Sequence, residues 1–243
     1  MIFVLRKHVL WGAGLLFCFF AVFAAVLWVG QRRSQVPAFA ALAEGPAIVV
    51  LDPGHGGEDG GAVSPGGVAE SQINLAVARR VNDLLRFAGQ PTVMTREEDV
   101  SIGTGGDTVR TRKASDIRRR VEIVNETENA VLLSIHQNSL PSSVVTHGAQ
   151  VFWNGEEGAE DLARVVQDSL NGVINAGNEK QPKRIPDTIY LMRHITAPGI
   201  LVECGFLSNP EETVRLQDPS YQTKLAAAIT AGYLRRLAGE EVP

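Results

Sequence analysis

The sequence predicts an α/β fold: a mainly parallel mixed sheet flanked by helices, in a single domain behind an N-terminal apolar helix. Three observations predict it. Short continuous apolar runs, residues 47–51 (AIVVL), 130–135 (AVLLSI) and 199–202 (GILV), have the pattern of strands buried on both faces. Amphipathic stretches of helical period alternate with these runs, as in βαβ layering. The composition is that of a folded chain: 243 residues, 44% hydrophobic and 21% charged, which excludes a disordered or low-complexity protein.

The elements follow in order. Residues 1–8 read as a cytoplasmic N-terminus. Residues 9–30 (VLWGAGLLFCFFAVFAAVLWVG) carry no charge and would form roughly 33 Å of helix, enough to cross a hydrocarbon core of about 30 Å. Trp11 and Trp28 stand near its ends, where amphipathic rings prefer the interface. Arg6 and Lys7 before the run also fit a cleaved signal peptide, with small-x-small sites at 38–40 and 41–43. A signal h-region is shorter, about 7–15 residues, and those sites lie well past the run, so an uncleaved transmembrane anchor is favoured over cleavage. Either way the rest of the chain is expected outside the cytoplasm. Residues 31–46 (QRRSQVPAFAALAEGP) have no clear period and read as a linker, so the folded domain, residues 47–243, begins near Ala47.

Residues 47–51 form the first strand, and a loop with seven glycines between Gly54 and Gly67 follows. From Glu70 the period turns helical. Ile73, Val77, Val81, Leu84, Leu85 and Ala88 share one face, and Gly89 supplies a stop. Residues 91–95 read as a second strand and 97–108 as a polar loop. Residues 110–127 are helical in propensity, with Ile117, Val121 and Val124 on one side and a solvated Arg118-Arg119-Arg120 opposite. Residues 130–135 and 149–153 are the third and fourth strands. Residues 157–174 make an amphipathic helix, 188–192 a candidate strand, 199–202 a strand and 221–237 a closing helix.

Charge and cysteine usage exclude several function classes. The net charge is −4, but residues 1–33 hold four basic side chains and no acid. The remainder therefore carries 19 basic against 27 acidic residues, a net of −8, and has no general attraction for nucleic acid. The two cysteines, Cys18 and Cys204, offer neither a disulfide framework nor a cysteine zinc cluster.

In such a sheet, ligands gather at the carboxyl ends of the strands. The first strand runs into Asp52-Pro53-Gly54-His55, the third into Ser134-Ile135-His136-Gln137-Asn138, and 199–202 into Glu203-Cys204-Gly205. Glu70 opens the first helix and returns to the same edge. Two histidines and two glutamates thus converge from four segments. Two imidazoles and one carboxylate leave an open position on zinc, the arrangement of a catalytic site, and the second carboxylate is then free to act as a base. Each residue also has a plain reading. A histidine after a strand can simply be hydrogen-bonded, and Glu70 can favour a helix N-terminus. The glycine-rich loop is no P-loop, because no lysine lies between Lys7 and Lys113. His147 and His194 read as surface residues.

Residues 48–61 (IVVLDPGHGGEDGG), 70–75 (ESQINL), 133–138 (LSIHQN) and 201–210 (LVECGFLSNP) together resemble the signature blocks of the zinc-dependent N-acetylmuramoyl-L-alanine amidases of the amidase_3 type. The likeness spans about residues 47–238. It implies a peptidoglycan hydrolase that cuts between the lactyl group of N-acetylmuramic acid and L-alanine of the stem peptide. It further implies zinc ligands His55, Glu70 and His136, and Glu203 as the catalytic carboxylate. The single apolar segment and the lack of wall-binding repeats resemble the germination-specific branch. That branch works on spore cortex with a deacetylase to form muramic δ-lactam, which would place the domain at the wall or in the forespore intermembrane space. The 67 positions from His136 to Glu203 leave little room for the long plugging helix of the cell-division amidases.

Two other classes stay open: a different zinc amide hydrolase, such as a stem-peptide peptidase or an N-deacetylase, and an inactive tethered peptidoglycan-binding scaffold. Arg110, Arg112 and Asn138 are candidates for positioning a glycan-borne substrate, against plain readings as surface salt bridges and a turn residue.

Overall fold

The structure, a computed structural model, describes residues 46–240 and Val242. The expected transmembrane segment, residues 9–30, lies outside the described residues. Among these, no helix is long and apolar enough to cross a membrane.

The strands are β1 (Ile48–Pro53), β2 (Thr92–Met94), β3 (Ala130–Asn138), β4 (Gln150–Trp153), β5 (Lys183–Arg184) and β6 (Gly199–Phe206). The helices are α1 (Glu70–Phe87), α2 (Val109–Glu126), α3 (Ala159–Val173), α4 (Tyr190–His194), α5 (Pro210–Gln217) and α6 (Pro219–Leu237). One six-stranded sheet has the order β2-β1-β3-β6-β4-β5. Its pairs are parallel except β4 with β6, which is antiparallel. The exception has a simple cause. No helix separates β3 from β4, so the chain turns back at the carboxyl edge instead of crossing over.

Strand alternation sorts side chains to two cores. Val49, Leu51, Leu133, Ile135, Val202 and Cys204 face α1, α3 and α6. Val50, Leu132 and Leu201 face α2 and α4. Helix α6 lies very close to α3: a Cβ on Gly232 would sit 2.6 Å from the Val166 Cα. Helix ends follow local chemistry. Thr108 caps α2 in a capping box with Thr111, Asn209 caps α5, and Asp218 caps α6, with Pro210 and Pro219 opening the last two.

Four expectations need correction. Residues 188–192 do not form a strand; the short helix α4 occupies Tyr190–His194, burying Leu191 and Met192. β5 and α5 lie in stretches to which the sequence reading assigns no element; β5 is only two residues long and carries no period. The three main strands run past their apolar cores, to Pro53, Asn138 and Phe206, so His136 and Glu203 lie within strands and not just beyond them. Finally, Arg120 is not solvated with Arg118: its side chain is 2% exposed, against the sheet.

Candidate active site

Strand pairing places the first two site residues. His136 in β3 is the registered neighbour of Glu203 in β6, so their side chains share the face covered by α2. His55 arrives from the loop after β1 with φ +62, a left-handed conformation rare for a residue with a Cβ. Glu70 is the first residue of α1 and is buried. Glu70 and Ala62 pair reciprocally through the backbone of one and both the backbone and side chain of the other: Glu70 N–H donates to Ala62 O (2.9 Å), and Ala62 N–H donates to Glu70 Oε2 (2.8 Å).

Around the Glu70 carboxylate the two imidazoles close in. His136 Nδ1 lies 2.9 Å and His55 Nε2 3.4 Å from Glu70 Oε1, and the rings meet edge to face, centroids 5.1 Å apart. One possible ligand atom from each of the three residues lies within 4.8 Å of the others. Glycines make the room. A Cβ on Gly54 would overlap the His136 ring, and one on Gly61, at φ +69, would come 2.5 Å from Glu70 Oε2. His55 Nδ1 lies 2.9 Å from Asp59, which in turn pairs with Lys113 at 2.7 Å; a carboxylate on the far nitrogen of an imidazole fixes its tautomer and direction.

The carboxyls of the two glutamates are shifted in opposite directions. Burial works to raise the Glu70 carboxyl, but the His136 and His55 rings and the Ala62 N–H outweigh it and hold it down at about 2. Burial pushes Glu203 up to about 7, with the Glu70 charge adding to it and His136 opposing. Glu203 Oε2 is buried and has no hydrogen-bond partner among the described residues. A donor set of two imidazoles and one firmly ionised carboxylate suits zinc, and a neighbouring carboxyl poised near neutrality suits proton transfer.

Comparison with known proteins decides what kind of enzyme carries this site. A family model described as N-acetylmuramoyl-L-alanine amidase matches residues 49–235. The chain belongs to that family. The amidase is 44% identical over 192 residues to the germination-specific N-acetylmuramoyl-L-alanine amidase of Bacillus subtilis, covering 77% of this chain and 78% of that one. It is 30% identical over 230 residues to the amidase AmiC of Neisseria meningitidis, covering 77% of this chain and 52% of that one. Among solved structures it is similar to the CwlD amidase of Clostridioides difficile in complex with the GerS lipoprotein. There the TM-score is 0.76 and the identity 32%, covering 80% of this chain and all of that one. The protein is thus a peptidoglycan amidase, close to the germination-specific enzyme.

Other residues of the amidase fall out as follows. Arg112 forms a two-pronged ion pair with Glu58, Nε–Oε2 2.7 Å and Nη2–Oε1 2.8 Å, so it is engaged at the surface of the glycine-rich loop. Arg110 is exposed. Asn138 folds its Oδ1 onto the Ser139 N–H at 2.7 Å, the turn reading. His147 and His194 are exposed, the latter stacked on Tyr190. Missed by sequence reasoning were Asp52, Asn74, Arg96 and Arg120. Asn74 carried a usable signal, because it stands four residues after Glu70 on the same helical face and donates to Glu70 Oε1 at 3.1 Å.

Proposed function

We propose that this amidase is a zinc enzyme in which His55, Glu70 and His136 hold the metal and Glu203 is the general base. Zinc in that cradle supplies a Lewis acid for the hydrolytic water and the scissile carbonyl. Glu203 takes a proton from the water as its oxygen bonds to the lactyl carbonyl carbon. It then gives that proton to the L-alanine nitrogen as the C–N bond breaks, and the remaining acid proton passes to the released amine, leaving a lactyl carboxylate and an L-alanine ammonium group. The observation that carries this reading is geometric: His55, Glu70 and His136 bring ligand atoms within 4.8 Å of one another, while Glu203, the registered neighbour of His136, keeps a buried Oε2 with no hydrogen-bond partner among the described residues. The likeness to the germination-specific enzyme supports spore cortex as the substrate, and the relative solved with a lipoprotein supports a protein partner here as well.

The test is mass spectrometry of purified muropeptides after digestion, with and without a chelator. An amidase releases a new L-alanine amine together with an intact lactyl carboxyl; cleavage inside the stem peptide or loss of an acetyl group would overturn the assignment. We further propose that residues 9–30 stay attached as a single-pass anchor with the catalytic domain outside the cytoplasm. A mature N-terminus near Ala41 or Glu44 in protein isolated from its host would defeat that.

A further inference from the structure

Beneath the metal cradle lie two buried guanidinium groups that the hydrolysis itself does not use. Three successive carbonyls, those of Pro53, Gly54 and His55, turn inward from the loop carrying His55. Arg96 Nε donates to Pro53 O (2.9 Å) and its Nη2 to Gly54 O (3.0 Å). Arg120 Nη1 donates to Pro53 O (2.8 Å) and its Nη2 to His55 O (2.6 Å). Both arginines are at most 3% exposed. Two like charges buried side by side are costly unless something needs their directed donors, and an apolar core would be the cheaper filler. Asp52 and Asp116 partly compensate, accepting from Arg120 at 2.6 and 2.7 Å.

What the donors accomplish is local. His55 holds a positive φ, a strained conformation that persists only where its surroundings over-determine it. With the carbonyls on either side of Gly54 and that of His55 itself pinned, the peptide planes flanking the His55 Cα cannot rotate, and the imidazole is held toward Glu70. Arg96 reaches the second ligand too, because its Nη2 also donates to Ser71 O (2.9 Å) in the first turn of the helix that begins at Glu70. One guanidinium thus ties the His55 loop to the Glu70 helix.

We propose that Arg96 and Arg120 are positioning residues that preorganise His55 and Glu70 for the metal, an inference that rests on the zinc reading above. They act on metal affinity, not on the proton transfers. A lysine at either position retains the charge but offers no planar fork to reach two carbonyls at once.

The experiment measures zinc affinity of the full chain by competition with a chelating indicator, alongside kcat at saturating zinc and the melting temperature of the metal-free protein. Arg120→Lys and Arg96→Lys are compared with Arg119→Ala, which removes an exposed neighbour paired with Glu122. Both lysine variants should bind zinc about 10–100-fold more weakly, yet recover kcat to within a few-fold once zinc saturates. Arg119→Ala should bind zinc as the parent does. Should a lysine variant fail to fold, Asp116→Asn, which removes the charge facing Arg120 Nε while its Oδ1 can still accept from Ser101 Oγ and the Ile102 N–H, should give a smaller loss in the same direction. Unchanged zinc affinity in folded variants, with only a lower melting temperature, would overturn the clamp. If the parent protein binds no zinc, the zinc reading fails, and the clamp with it.

Discussion

At the residue scale, Glu70 and Glu203 both neighbour His136, yet their carboxyls are shifted in opposite directions. The difference is what surrounds each oxygen. Glu70 receives N–H groups from Ala62, Asn74 and Gln137 besides the imidazoles, whereas Glu203 Oε2 is buried with no hydrogen-bond partner among the described residues and only the His136 charge opposes its rise. Glu203→Gln should therefore keep its zinc while losing rate by about 10²-fold or more, since the amide is nearly the same shape but cannot accept a proton. Zinc content by atomic absorption and turnover of muropeptides check this together. The same variant carries a pH signature in the metal-free protein. A carboxyl raised from 4.5 to about 7 in the fold incurs no penalty below the unfolded pKa. Stability is then lost as pH rises from about 4.5 through 7 and stays lost above. Glutamine has no such loss. Denaturant melts should find Glu203→Gln more stable than the parent above pH 7, by about 1–3 kcal/mol, with the gap closing below pH 4.5.

At the element scale, the sheet delivers the chemistry and the helices hold the sheet in place. β3 and β6 are each apolar through their first four residues and turn polar where they reach the site, at Ser134-Ile135-His136 and at Glu203. Packing behind that edge depends on the contact of α3 with α6, where Gly232 lets the helix backbones approach. Gly232→Val should destabilise by about 1–3 kcal/mol through overpacking against Val166. Chemical denaturation measures this, and activity at low temperature should survive because the contact lies on the face of the sheet opposite His136. An unchanged midpoint would mean the helices can shift apart at no cost.

At the scale of the whole molecule, the proposed zinc site would link metal binding to folding. His55, Glu70 and His136 come from three segments spanning 82 positions, so the unfolded chain has no comparable site. Zinc at a hundredfold excess over its Kd should add about 2.7 kcal/mol. For a domain of this size that corresponds to roughly 5–10 °C in Tm. Differential scanning calorimetry with and without a chelator reads it. A His55→Ala/His136→Ala double variant should melt at the same temperature in both, and a chelator-sensitive melt in that variant would place the metal elsewhere.

The sequence by itself determined the α/β layering, the helix opening at Glu70 and the four polar positions at the sheet edge. These are local properties: apolar runs, a 3.6-residue period and strand-terminal polar residues are written in neighbouring positions. Arg120 shows where that reach stops. In the helix it stands beside two solvated arginines and reads like them, yet its burial is set by Asp52, 68 positions away, and by the carbonyls of Pro53 and His55. The left-handed His55 and the raised Glu203 carboxyl are of the same kind. Each follows from which segments meet across the sheet, because the free energy of a buried charge or a strained dihedral depends on partners that only tertiary packing brings within bonding distance.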